Sequence, residues 1–183
     1  SLSPDCRCGD GQARLVERPR VEIIENGPLQ GALRIASSYE IPARLAAGRT
    51  SRSTETVRLP VIATIRLRAG SPILEVSIEL ENRANDHRLR LRFPTGLATE
   101  QIYAGGQFGI VERPVAVPEV EGWVQPPANL RPHTHWIGVR DQHGGLAILT
   151  EGLPEHEPQV GGSGVTLALT LLRCVGQLSR ADL

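Results

Sequence analysis

The clearest pattern along the chain is the alternation of hydrophobic and polar residues with a period of two, which is typical of half-buried β-strands. In residues 61–68 the odd positions are apolar, and in residues 74–81 the even positions are apolar while glutamates occupy the other face. Ala69-Gly70-Ser71-Pro72 lies between the two segments, and Gly and Pro favour turns. The two segments therefore predict an antiparallel hairpin.

A third alternating segment, Arg88-Leu89-Arg90-Leu91-Arg92-Phe93, carries arginine on one face and apolar side chains on the other. We expect its arginine face to lie beside the glutamate face of residues 74–81, in cross-strand ion pairs of about 0.2–1 kcal/mol each. Asp141-Gln142-His143-Gly144-Gly145 predicts the loop of another hairpin. Further strands are predicted at residues 21–24, 32–35, 136–140, 146–149 and 165–172.

Residues 94–132 are rich in Pro and Gly and predict a long excursion with little regular structure. Loops this long are usually functional or packed against another part of the protein. Short strands with one polar face, separated by Gly- and Pro-rich turns, are typical of antiparallel sheets. The fold class predicted is therefore all-β, an antiparallel β-sandwich.

Composition narrows the class of protein. The chain has 183 residues, with 20 basic and 20 acidic side chains and a hydrophobic content of 40%. This balance predicts a folded domain, without the basic footprint of a nucleic-acid-binding protein. Neither a membrane-spanning apolar run nor a signal peptide is recognisable, so we expect no membrane partner. We expect one β-sandwich domain over residues 1–183, with residues 1–15 as linker or disordered segment.

The cysteines and histidines are candidate metal ligands. Cys6 and Cys8 are too closely spaced for a typical zinc site, and the odd cysteine count favours a reducing, cytoplasmic location. His133 and His135 would share one face of an extended segment, and His143 could approach them across the hairpin. No carboxylate stands at a diagnostic spacing from these histidines, so we predict solvated loop histidines and no metal site.

Two clusters have the residue types of a catalytic site. Glu155-His156-Glu157 offers two carboxylates, but nothing places them on opposite sides of a glycosidic bond. Asn85-Asp86-His87-Arg88 combines an acid, a base and a cation, but it equally fits a turn with an aspartate cap. The chain contains no P-loop, GxGxxG, HExxH or GxSxG motif. Residue chemistry alone therefore predicts a β domain and leaves its function open.

The order of short motifs from residue 82 onward resembles the C-terminal β region of α-mannosidases of glycoside hydrolase family 38. The motifs are Asn82-x3-Asp86-His87-Arg88-Leu89-Arg90-Leu91-x-Phe93-Pro94, Gln107-Phe108-x3-Glu112-Arg113-Pro114, Gly145-Leu146-Ala147-Ile148, Gly152-Leu153-Pro154-Glu155-His156-Glu157 and Leu169-Thr170-Leu171-Leu172-Arg173-Cys174-Val175-Gly176-Gln177-Leu178-Ser179-Arg180. The resemblance covers about 100 residues. It implies a galactose-mutarotase-like or supersandwich type of β-sandwich.

The resemblance also implies a function for the parent protein. Enzymes of the family are retaining exo-α-mannosidases that use a divalent metal, commonly zinc, held with the nucleophile in an N-terminal catalytic domain. No segment of this chain matches those motifs, so we expect a fragment that is inactive alone and holds no cofactor. Its expected partners are the catalytic domain and an α-mannoside. Residues expected to contact the sugar or the catalytic domain are Asp86, His87, Arg88, Arg113, Glu155, Glu157, Arg173 and Arg180.

Two alternatives remain open. One is an independent carbohydrate-binding module, although six aromatic residues leave little for an aromatic platform. The other is a structural or oligomerisation module. The expected contact residues also have a simpler interpretation, as ion pairs internal to a folded domain.

Overall fold

The computed structural model describes residues 13–117, 128–161 and 164–174. These residues form strands and turns and contain no helix, so no helix there is long and apolar enough to cross a membrane. The strands pair antiparallel, which confirms the predicted all-β class. The chain divides into two compact units, residues 1–87 with 174–183 and residues 88–173.

The first unit contains one five-stranded sheet in which the strands follow the order β1-β3-β4-β5, and β2 also pairs with β3. The strands are β1 (Arg14–Leu15), β2 (Arg20–Asn26), β3 (Gln30–Pro42), β4 (Thr56–Arg68) and β5 (Leu74–Leu80). The hairpin predicted from the alternating pattern is present, because β4 and β5 pair antiparallel across a turn in which Gly70 has a φ of 75°. Strand β1 lies within the segment that was expected to be a linker.

This sheet has two chemically different faces. Residues directly opposite each other in neighbouring strands lie on the same face. One row runs Glu22, Arg34, Thr64 and Ser77, so that face is polar. The alternate residues form the apolar face, which comprises Val21, Ile23, Leu33, Ile35, Val61, Ala63, Ile65, Leu67, Leu74, Val76, Ile78 and Leu80.

The second unit is a sandwich of two four-stranded sheets. One sheet has the order β11-β10-β7-β8 and the other β6-β13-β12-β9. Their strands are β6 (His87–Pro94), β7 (Gln101–Gly105), β8 (Ile110–Pro114), β9 (Arg131–Pro132), β10 (Trp136–Arg140), β11 (Gly145–Leu149), β12 (Glu155–Gly161) and β13 (Gly164–Cys174).

The core of the second unit is formed by side chains from both of its sheets. Ile102 and Ile137 come from one sheet and Leu167 from the other, and none of the three is more than 1% exposed. Smaller apolar residues and the ring of Phe93 fill the space around them. This shared core makes the second unit an antiparallel β-sandwich, the fold class that the alternation predicted.

Two expectations from the sequence were wrong. Residues 94–132 contain β7 and β8, which pair in register from Gln101↔Pro114 to Gly105↔Ile110. The strand β7 was missed because Tyr103, an aromatic residue, lies on its outer face. Its apolar character interrupts the alternation of hydrophobic and polar residues along β7. The expected pairing of the 88–93 segment with residues 74–81 is also wrong, because β6 lies in a sheet with β13 and β12 while β5 pairs with β4.

Candidate functional site

Four of the predicted contact residues come together on one face of the β6-β13-β12-β9 sheet. Arg88 on β6 lies 3.6 Å from Glu155 and 3.3 Å from Glu157, both on β12. Arg173 on β13 lies 3.3 Å from Glu155. Arg90, two residues along β6, also contacts Glu157. We call these five residues the arginine–glutamate cluster.

The spacing of the cluster follows from strand geometry. Residues two apart in a strand point to the same face, so Arg88 lies beside Arg90 and Glu155 beside Glu157. Because β13 separates β6 from β12, the arginines reach across one strand to the glutamates. The arginines of residues 88–93 therefore do form ion pairs, but with glutamates 67 to 69 residues further along the chain.

The cluster carries three positive and two negative charges in a partly dry environment. The side chains of Arg88, Arg90, Glu155 and Glu157 are 19–28% exposed, and that of Arg173 is 57% exposed. Burial lowers the pKa of the Arg88 guanidinium, and repulsion by Arg90 acts in the same direction. One positive charge is left over at the exposed end of the cluster.

All four carboxylate oxygens of the cluster accept hydrogen bonds or ion pairs. Thr170 donates to Glu155 Oε1 at 2.8 Å, and the other oxygen of Glu155 faces Arg173. Gln159 donates to Glu157 Oε1 at 3.2 Å, and the other oxygen of Glu157 faces the two arginines of β6. A general acid or base needs a carboxyl group within reach of substrate. The cluster is therefore suited to joining strands and presenting Arg173, rather than to proton transfer.

Removing one carboxylate should show how much the cluster stabilises the fold. Glu157→Ala leaves Arg88 and Arg90 without their shared partner in a partly buried site, and we expect a loss of about 2 kcal/mol of unfolding free energy. Urea denaturation measures the change. Glu75→Ala is the control, because the Arg68–Glu75 pair is 59% and 43% exposed and should contribute under about 1 kcal/mol. Equal losses for the two variants would contradict this interpretation.

Asp86 and His87 belong to the first unit. Asp86 has a φ of 56°, a conformation that aspartate tolerates in turns. Its carboxylate accepts the backbone N–H of Leu45 at 3.3 Å and contacts Arg49 at 3.5 Å. Burial lowers the pKa of His87, and the Asn85 backbone opposes that shift. This geometry matches the turn with an aspartate cap.

The remaining two predicted residues are placed differently. Arg113 lies on β8 and its Nη1 is 3.4 Å from the carbonyl oxygen of Pro132. Arg180 lies outside the described residues, so its predicted role stays a prediction.

A buried histidine pair was not predicted from the sequence. His156 is fully buried, and its Nδ1 lies 3.1 Å from Nδ1 of His133, which is 5% exposed. His133 Nε2 lies 3.0 Å from the hydroxyl of Thr150. The alternation of the strand does predict the burial of His156. Glu155 and Glu157 face outward, so His156, which lies between them, must face inward. The expectation of solvated loop histidines was therefore wrong for His133.

Burial keeps this pair neutral. It lowers the pKa of His156 to about 3, and repulsion by Arg131, by Arg113 and by a protonated His133 acts in the same direction. Burial also lowers the pKa of His133, and a hydrogen bond to the backbone carbonyl of Pro154 opposes that shift. Only one proton can lie between the two Nδ1 atoms, so protonating both rings would bring two N–H groups face to face.

A metal centre does not fit the described residues. Within residues 13–117, 128–161 and 164–174, no group of three or more His, Cys, Asp or Glu side chains is arranged to hold an ion. His133 is engaged with His156 and Thr150, and His143 lies against Gln142 at 3.1 Å. We therefore derive no chemistry through a metal from these residues.

Comparison with known proteins gives the family. The pattern that defines the glycosyl hydrolases family 38 C-terminal domain matches residues 9–177. The chain belongs to this family. The resemblance seen in the short motifs is thereby confirmed, and the match also includes the N-terminal third of the chain.

Similar proteins are much longer than this family 38 C-terminal domain. The chain is 33% identical over 172 residues to a Halalkalibacterium halodurans protein named "Putative mannosylglycerate hydrolase", covering 86% of this chain and 18% of that protein. A solved α-mannosidase from Enterococcus faecalis superposes with a TM-score of 0.78 at 29% identity, covering 89% of this chain and 19% of that one. A second family 38 structure from E. faecalis gives 0.74 at 28% identity, covering 87% and 19%. The family 38 C-terminal domain thus spans about a fifth of the length of these relatives.

Proposed function

We propose that this chain is the non-catalytic C-terminal β-sandwich domain of a retaining α-mannosidase, and that it packs on the catalytic domain of the same polypeptide. Family membership and the names of its relatives support the mannosidase assignment. The parent enzyme hydrolyses terminal α-mannosides, and its divalent metal is held outside these 183 residues. The chain by itself is expected to leave an aryl α-mannoside unhydrolysed.

The observation that carries the packing proposal is the apolar face of the five-stranded sheet. Large side chains on this face are strongly exposed, including Ile23 at 65%, Leu74 at 54% and Leu67 at 52%. Soluble proteins rarely leave a contiguous apolar patch of this kind uncovered. Since the rows of this face contain no charged side chain, it suits a second apolar layer from the same polypeptide better than a polar ligand.

Neighbouring residues of β5 provide a matched test. Val76 and Ser77 are both exposed, and they point to the apolar and the polar face, respectively. In the full-length enzyme we expect Val76→Glu to lower hydrolysis of an aryl α-mannoside at least about tenfold and to increase proteolysis between the domains, because it places a charge in an apolar interface. Ser77→Glu should change neither.

Measurements on the isolated 183-residue chain distinguish an effect on docking from an effect on folding. In that chain, the unfolding temperatures of both variants should lie within a few degrees of that of the unsubstituted chain, because both positions are exposed. Full activity of the Val76→Glu enzyme would overturn the packing proposal. A stable dimer of the isolated chain that Val76→Glu converts to monomer would instead favour an oligomerisation module.

A further inference from the structure

The outer face of the β11-β10-β7-β8 sheet carries aromatic side chains that the proposed packing does not use. Ile137 points into the core, so its neighbour Trp136 lies on the outer face of β10 together with Gly138 and Arg140. Tyr103 on β7 lies directly opposite Gly138. This arrangement places an indole ring and a phenol ring diagonally adjacent on one exposed sheet surface.

The indole of Trp136 lies along the sheet surface. A Cβ built on Gly105 would be 3.0 Å from both Cδ1 and Nε1 of this ring, and one built on Gly138 would be 3.5 Å from Cζ3. These atoms belong to opposite edges of the indole, so the ring spans two positions that carry no side chain. Trp136 is only partly buried, since one side of the ring covers glycine backbone. A side chain at Gly105 would press against the indole, whereas one at Gly138 would meet it at an ordinary contact distance.

Polar groups border the rings. The guanidinium of Arg140 lies 5.2 Å from the centre of the Tyr103 ring, within range of a cation–π interaction. The hydroxyl of Tyr103 lies 3.4 Å from a carboxylate oxygen of Glu112, on β8. Arg140 and Glu112 are both exposed. A flat apolar surface therefore has a hydrogen-bond donor and an acceptor at its margin.

We propose that this face is a sugar-binding platform on which a hexopyranose ring stacks against Trp136 while its hydroxyls bond Arg140 and Glu112. A pyranose has an apolar face of C–H groups and an edge of hydroxyls, and binding sites commonly combine aromatic lining with a few placed polar groups. Aromatic rings suit surfaces that are apolar on one side and wet at the edge. The rows of the apolar face of the five-stranded sheet contain no charged side chain, so the two surfaces suit different occupants.

The platform revises what the aromatic count indicated. Six aromatic residues in 183 suggested too few for a sugar platform, but a stacking site needs only one or two rings in the right place. The choice of a mannoside as probe rests on the proposed function, whereas binding of some hexopyranoside at Trp136 does not. The platform lies on the domain itself, so its ligand contact can be measured without the catalytic domain.

The test titrates the ¹⁵N-labelled 183-residue chain with methyl α-mannoside and follows the indole N–H signal that is lost in Trp136→Leu. A saturable shift with a dissociation constant of the order of 1 mM is expected for a ligand of this size. Glycerol at equal concentration carries hydroxyls but no ring face, and should produce no saturable shift. The absence of saturation up to about 100 mM for methyl α-mannoside and methyl α-glucoside, or an equal response to glycerol, would overturn the platform.

Variants locate the binding. Trp136→Leu should weaken binding at least about tenfold and Arg140→Gln about threefold, whereas Phe108→Leu should change it less than twofold. Phe108 is a matched control because it is aromatic and fully exposed in the turn between β7 and β8. Arg140→Gln alters only an exposed side chain, so it tests the platform even if Trp136→Leu unfolds. Unchanged binding in Arg140→Gln, or loss of binding in Phe108→Leu alone, would contradict the proposed contacts.

One further outcome separates the two proposals. If the glucoside binds at Trp136 and the mannoside does not, the platform stands and the mannoside assignment of the parent enzyme is weakened. If the mannoside binds but the full-length enzyme does not hydrolyse α-mannosides, the platform again stands while the proposed function fails.

Discussion

At pH 5 the chain is expected to be about 2 kcal/mol less stable than at pH 7, because the buried His133–His156 pair must stay neutral in the folded state. The pKa of His156 is about 3 in the fold and 6.5 in a model peptide. Between these values the unfolded chain binds more protons than the folded one, so lowering the pH favours unfolding. The stabilisation is complete above about pH 6.5 and falls as the pH approaches 3.

Urea denaturation at pH 7, 6 and 5 measures this dependence. The range from pH 7 to pH 5 lies above the pH at which most carboxylates take up protons, so histidines dominate the change in unfolding free energy. His156→Gln removes the group whose pKa is lowered to about 3 and should make the curve less steep, while costing about 1–3 kcal/mol at pH 7 because His133 loses its partner. The lowered pKa values of His133 and His87 leave a smaller slope. His143→Gln, in the exposed loop between β10 and β11, is the matched control. An equally steep curve for His156→Gln would show that the acid sensitivity comes from another group.

Gly164→Ala should lower the unfolding free energy by about 3 kcal/mol or more. Gly164 begins β13 with a φ of 110°, a conformation that side-chain-bearing residues rarely adopt. A Cβ there would lie 2.5 Å from the carbonyl oxygen of Leu97, which accepts the N–H of Val165 at 3.0 Å. Because the clash is with backbone, β13 must shift, and backbone strain and overpacking each cost about 1–3 kcal/mol.

Gly144→Ala provides the comparison for this substitution. Gly144 lies in the hairpin loop between β10 and β11, outside the left-handed range of φ, and a Cβ built on it would have nothing within 4 Å. Its replacement by alanine should change the unfolding free energy by under about 1 kcal/mol, measured by thermal or urea denaturation. If Gly164→Ala proved as mild as Gly144→Ala, the close approach of residue 97 to the start of β13 would be wrong.

In the candidate site, the sequence predicted which residues lie together but not which contacts they make. The short motifs predict four contact residues that do lie together in the structure, namely Arg88, Glu155, Glu157 and Arg173. Both carboxylates, however, already take part in ion pairs and hydrogen bonds within the domain. Their predicted contact with a sugar or with the catalytic domain stays a prediction, best tested at Arg173, whose side chain is 57% exposed. Motifs indicate which residues matter, whereas burial and partners decide what those residues can do.

The sequence by itself determined the strands in which the alternation is clear, and the two faces of each, because a period of two is a local property that needs no information about neighbours. It did not determine β7, β8 or β12. It also carried the family, through short motifs kept in order. Only the tertiary structure decided that β6 lies in a sheet with β13 rather than beside β5, that His156 meets His133, and that Trp136 lies over Gly105 and Gly138. Those outcomes depend on which distant segments share a sheet, and the alternation of a strand specifies its faces but not its neighbours.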